Sequence, residues 1–210
     1  MSIQQEFPDF AEQLASVMQA LGGQADQLAG GVEHAAALLT GQLLAGHKMV
    51  LLSTPALAPL AELFCHNMLY AAADHRPALP AIALCASDAG VAGFGGRRET
   101  DTQATPLDLR HFLRAAEAVT IAGDTLIVVA EQNLPALPAE LDKLYANRGV
   151  NSVLLTPGQA GEKQHSATAH SIIISLECDT VAGLQQLSLF ILNALADMIE
   201  TRVFGDARQR

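Results

Sequence analysis

Five short apolar runs, with helical patterns between them, limit what this 210-residue chain can fold into. They are residues 49–52 (MVLL), 81–85 (AIALC), 125–130 (TLIVVA), 152–155 (SVLL) and 171–176 (SIIISL). The run at 125–130 is nearly all apolar, as in strands covered on both faces. Helix formers fill 56–73, 107–119 (with Leu109, Phe112, Leu113 and Ala116 on one face) and 139–146, which Gly149 ends. Strands alternating with helices at this spacing predict an α/β three-layer sandwich around a parallel five-stranded sheet. Two helices are expected before the sheet, 10–21 and 25–44, separated by Gly22-Gly23 and closed by Gly46. The last helix, 181–204, carries Leu184, Leu187, Leu189, Ile191, Leu192, Leu195, Met198 and Ile199. That is too many for one buried stripe, so it needs neighbours on more than one side. The expected division is a helical oligomerisation segment over 1–46 and an α/β domain over 47–210, assembled as a homotetramer or a dimer.

Ligands of such sheets bind outside the carboxyl ends of the strands, which points to the loops at Ser53 and Glu131. After the run at 49–52 comes a turn at Ser53-Thr54-Pro55, then a helix. Strand, tight loop and helix N-terminus bring free N–H groups and a positive dipole end to one point, a natural anion site. A phosphate-binding loop of this kind needs glycines for close backbone approach, and hydroxyl donors. Here the glycines are absent, and Pro55 supplies no N–H. Ser53 and Thr54 can donate to a ligand or cap the following helix.

Composition narrows the function. The net charge is −10 with no basic run, which argues against direct binding to nucleic acid. No apolar run reaches the ~18 residues of a membrane span. Residues 1–9 are polar and lack the pattern of a signal peptide. Cys65, Cys85 and Cys178 form an odd set without CxxC spacing, as expected of reduced, buried thiols in a cytoplasmic protein. No metal or other cofactor is expected.

The order of elements resembles the SIS (sugar isomerase) fold, a flavodoxin-like sandwich, and in particular its phosphoheptose isomerase branch. Arg76-Pro77-Ala78-Leu79-Pro80-Ala81-Ile82-Ala83-Leu84 is similar to that branch's RPxLPAIAL segment. Ala122-Gly123-Asp124 and the strand after it resemble the GDVLIxIS entry to the second phosphate loop, and Leu184-Gln185-Gln186 the RIQE start of the last helix. The resemblance spans 47–204 and is almost gapless over 47–84.

Departures from the family pattern fall on the chemistry. The first loop, GNGGSA or GNGTSA in the family, is Ser53-Thr54-Pro55-Ala56-Leu57-Ala58 here. The second, STSGNS in the family, is Ala130-Glu131-Gln132-Asn133-Leu134-Pro135. Glu131 brings a carboxylate towards the place of the phosphate, where like charge opposes a bound dianion. Active members carry a His and a Glu on the helix after the first loop, and a Gln and a His on the last, which form the zinc site of metal-bound members. By the resemblance those positions are Leu63, Asn67, Gln185 and Asn193. Aldose–ketose isomerisation needs a general base and an acid, and leucine and asparagine supply neither. His66 lies one residue from Asn67, turned by about 100° around the helix.

Non-catalytic DnaA initiator-associating (DiaA) proteins of this branch also have Asn at the position of Asn193 and a tail like Val203-Phe204, but they keep a GNGTSA-like loop. The resemblance implies an oligomeric, non-catalytic scaffold with a protein partner such as DnaA, met at Val203 and Phe204. The alternative is a phosphosugar (sedoheptulose 7-phosphate-type) isomerase or binder with a relocated site, for which Ser53, Thr54, Ser87, Gln132 and Gln185 are the ligand candidates. Asn67, Gln185 and Asn193 can also be read as a polar cluster satisfying itself.

Overall fold

The computed structural model describes residues 8–70, 76–85, 109–158, 165–178 and 180–205. The sequence at 87–96, rich in Gly and Ala, reads as a short helix and turn, and the polar 97–106 as a loop; both, with Ser87, lie outside these residues. In chain order the elements are α1 (Pro8–Leu44), β1 (Met49–Ser53), a 3-10 turn (Pro55–Leu57), α2 (Ala58–Tyr70) and β2 (Ala81–Cys85). There follow α3 (Leu109–Val119), β3 (Thr125–Val129), α4 (Leu137–Arg148), β4 (Asn151–Gly158), β5 (His165–Ala167), β6 (Ser171–Glu177) and α5 (Val181–Phe204).

The sheet runs β2-β1-β3-β4-β6-β5. Its first five strands are parallel, as the apolar runs imply, and β5 is antiparallel to β6, pairing His165 with Ile174. The central strands β1, β3 and β4 are mainly apolar because both faces are covered. Met49 and Leu51 enter a core shared with α1, α2 and α5, while Val50 and Leu52 enter one shared with α3 and α4. Two corrections concern this sheet. The sequence at 156–165 reads as a loop, but the segment begins with three strand residues, and β5 adds a sixth strand. Pro157 is tolerated because β4 has by then run past the end of β3 and ladders only with β6 there.

A third correction concerns the amino-terminal helices. The glycine pair Gly22-Gly23 does not break the chain, and α1 is one helix of 37 residues. Glycine costs about 1 kcal/mol in a helix without forbidding it, and tertiary contacts outweigh that here. Just after the pair, Gln24 is buried, and its amide exchanges two hydrogen bonds with the backbone of Glu177 at the end of β6, each 2.7 Å. From Leu28 to Leu39 the helix then packs into the main core. The apolar excess of α5 is explained by neighbours within the chain. It lies against α1, α2 and β6 together, burying Leu184, Leu187, Ile191, Leu192, Leu195 and Ile199. Val181 and Phe190 remain exposed.

Two family-like segments have structural duties. At Ala122-Gly123-Asp124, before β3, Gly123 has φ +90 and a Cβ there would overlap the His47 imidazole, so only glycine fits. Asp124 is buried, and its carboxylate accepts hydrogen bonds from the Lys48 and Ile121 N–H groups at 3.1 and 2.8 Å and pairs with the Lys48 ammonium. Burial works to raise the pKa of this carboxyl. The hydrogen bonds from Lys48 and Ile121 outweigh it and hold the group below the ordinary carboxylate range. In the RPALPAIAL segment, Arg76 ties the end of α2 to the end of α5, while Leu79 and Ala81 enter the core.

Candidate functional site

The carboxyl ends of β1 and β3 are neighbours, since Ser53 pairs with Val129 across the ladder. They bring the loops at Ser53 and Glu131 together, as the sequence suggests. Thr54 is the N-cap of the 3-10 turn, with φ −71 and ψ 157, but its side chain makes no capping hydrogen bond. The capping expectation is corrected: the Thr54 hydroxyl instead accepts the N–H of Glu131 at 3.1 Å, and the Thr54 N–H donates to the Val129 carbonyl at 3.2 Å. Thr54 is fully buried and stitches the two loops to each other. The helix expected from residue 56 begins with the 3-10 turn, Pro55 in its first position, where the missing N–H costs nothing.

Leu57 turns inward and is fully buried in the main core. It occupies a position where the family's loop has a small polar residue. Gln185, at the start of α5, donates from its amide to the Ala56 carbonyl at 2.9 Å. The first loop is thus held from both sides, by Glu131 at Thr54 and by Gln185 at Ala56. Ser53 differs. Its hydroxyl is buried and has no hydrogen-bond partner, on the face of β1 that carries Met49 and Leu51. Of the second loop, Glu131 and Leu134 are half-buried, and Gln132 and Asn133 are exposed.

The positions where active relatives carry acid–base and metal-binding groups are spread over α2 and α5. Leu63 is 41% exposed, Asn67 is half-buried and Asn193 is exposed. Gln185 spends its amide on Ala56 and Asn193 faces solvent, so the self-satisfied polar cluster does not form. His66 is exposed and lies 5.2 Å, ring to ring, from Tyr70. Among the described residues no three His, Cys, Asp or Glu side chains come together in a way that can hold a metal ion. A leucine and two asparagines in place of carboxylate and imidazoles do not fit the zinc site of metal-bound relatives. Val203 and Phe204, at the end of α5, are half-buried and pack against the main core. Among the described residues no helix is long and apolar enough to cross a membrane.

No family model matches the chain. Individual relatives do. A phosphoheptose isomerase from Halorhodospira halophila is 24% identical over 180 residues, 86% of this chain and 87% of that protein. The DnaA initiator-associating protein DiaA of Yersinia enterocolitica is 24% identical over 180 residues, 86% of this chain and 88% of that protein. Among solved structures, a phosphoheptose isomerase from Francisella tularensis superposes with a TM-score of 0.72 at 21% identity, covering 96% of this chain and 100% of that one. The fold is therefore that of the SIS domains. Within them the chain is similar, over most of its length, to the branch that holds the phosphoheptose isomerases and the DiaA proteins.

Proposed function

We propose that this chain is a non-catalytic SIS-domain protein, an oligomeric cytoplasmic scaffold or regulator that binds a protein partner. The observation that carries this reading is how the first loop spends its groups. Thr54 is fully buried with its hydroxyl accepting the N–H of Glu131, the loop backbone at Ala56 is bound by Gln185, and Leu57 is buried in the core. A sugar phosphate would need that loop free and facing outward. Leu63, Asn67 and Asn193 add no group able to move a proton between carbons, and exposed His66 does not replace them.

The similarity to DiaA proteins makes the replication initiator DnaA the candidate partner, and we assign the contact to Val203 and Phe204 at the end of α5. With a net charge of −10, the chain would meet DNA through its partner. We assign assembly as a homotetramer or dimer to the segment 1–46 together with the exposed Phe190 side of α5. Purified protein is expected to leave sedoheptulose 7-phosphate unconverted, with or without zinc. Turnover above a buffer blank refutes the non-catalytic reading. Immobilised DnaA of the same organism is expected to retain the protein, and no retention refutes the partner.

One observation favours a second reading, a sugar-phosphate binder with a relocated site: the buried, unpartnered hydroxyl of Ser53. Ligands that bind only the native state raise its melting temperature. Millimolar sugar phosphate is expected to leave the midpoint unchanged. A saturable rise that Ser53→Ala abolishes would establish the second reading.

A further inference from the structure

Arg76 is joined to three separate parts of the chain. Its Nη2 donates to the Asn67 carbonyl at 2.7 Å, and its Nη1 to the carbonyls of Met68 at 3.0 Å and Pro77 at 3.1 Å. Its Nε meets the carboxylate of Glu200 on α5. Asn67 and Met68 belong to the last turn of α2, whose carbonyls have no intrahelical partner and favour a cation. The side chain is 8% exposed. A planar guanidinium held along several edges has one orientation left to it.

The guanidinium carbon then stands 5.7 Å from the centre of the Phe204 ring, within cation–π distance. Glu200 and Phe204 are four residues apart and share one face of α5. The charge that fixes the guanidinium and the ring that lies against it therefore come from the same helical stripe. Phe204 is the last residue of its helix, where fraying would otherwise let a side chain wander.

We infer that Arg76 is a positioning residue for the partner surface at the end of α5, holding the Phe204 ring in the orientation that the partner meets. The inference rests on the partner reading above. It couples that surface to α2: the backbone of Asn67, at a position where active relatives carry a catalytic group, is bound by the same side chain that holds the ring.

The test is a binding titration of the full-length protein with DnaA of the same organism, in a double-mutant cycle over Arg76→Gln and Phe204→Ala. Arg76→Gln is expected to weaken binding about tenfold in the native background and not at all in the Phe204→Ala background, because a positioning residue acts only through what it positions. Arg76→Lys, which keeps the charge without the planar fork, is expected to fall between Arg and Gln. Should Arg76→Gln fail to fold, Glu200→Gln releases one edge of the guanidinium and leaves its carbonyl bonds. A smaller weakening is expected, again absent without the Phe204 ring. Equal losses in the two backgrounds overturn the inference while the partner reading stands. If the native protein does not bind DnaA at all, the partner reading falls and this inference with it.

Discussion

Asp124→Asn isolates the charge that anchors the amino end of the sheet. The carboxylate is 1% exposed, and its oxygens serve two backbone N–H groups and one ammonium. An asparagine keeps the shape but has one acceptor oxygen, so its NH2 must face at least one of those donors. A buried backbone N–H left unpaired costs about 1–3 kcal/mol. Lys48 loses its counter-charge, but its side chain is 24% exposed, and for a partly solvated, screened cation that adds no more than about 1 kcal/mol. The expected loss is about 2–3 kcal/mol. With a urea slope of about 3 kcal/mol per molar for a chain of this length, the midpoint falls by about 1 M at unchanged slope and equal protein concentration. Lys48→Met leaves the buried Asp124 carboxylate without its counter-charge and is also expected to lower the midpoint, with the Asp124 pKa rising as the hydrogen bond from the ammonium is lost.

The pH dependence follows from the sign of the shift. The folded pKa of Asp124 lies below the ordinary value, so the unfolded chain takes up the proton first. The stabilisation is complete above the ordinary Asp pKa of about 4 and is lost as pH falls through the lowered folded value. The gap between native and Asp124→Asn midpoints is therefore expected to be full at pH 7 and to narrow at pH 2–3. Equal midpoints at pH 7, or a gap that does not narrow in acid, would refute the assignment.

Two further experiments probe the loops and the core. Thr54→Val is nearly isosteric but frees the N–H of Glu131, so a loss of about 1–2 kcal/mol is expected, with faster hydrogen exchange at that amide and recovery of most of both in Thr54→Ser. Unchanged exchange at Glu131 would refute the stitch between the loops. The Cys65 thiol is buried, and burial pushes its pKa up to about 12, so it holds almost no thiolate at pH 8. In a Cys85→Ser, Cys178→Ser background it is expected to react with a disulfide reagent only on unfolding, and rapid labelling of native protein would refute its burial.

The strands were legible because burial on both faces leaves no other composition for them. The run at residues 81–85 coincides with β2, and the runs at 49–52, 125–130 and 171–176 mark their strands to within one residue. What periodicity missed is set by partners far along the chain. Nothing near His165 announces β5, whose three residues are strand because Ile172–Ile174 offer an edge. Gly22-Gly23 is a local signal for a break, and it lost to a pair of hydrogen bonds from Gln24 to a residue 153 positions away. The ion pairs of Lys48 with Asp124 and of Arg76 with Glu200 join residues 76 and 124 positions apart, and no spacing rule reaches that far.

The loops show the same division. Sequence was enough to place Ser53 and Glu131 at adjoining strand ends and to note the missing glycines, because both depend on residue type and order. It could not show what the remaining polar groups do, since a Thr after a strand reads equally as ligand donor, helix cap or internal tie. Geometry shows one of these uses: the Thr54 hydroxyl accepts the N–H of Glu131 and makes no capping bond. Here Leu57 fills the core, Pro55 takes the one position where its missing N–H is harmless, and Gln185 is bound to the loop's backbone. On the reading proposed above these residues form one packed arrangement, so a single change such as Glu131→Ser is expected to leave millimolar sugar phosphate without effect on the melting midpoint.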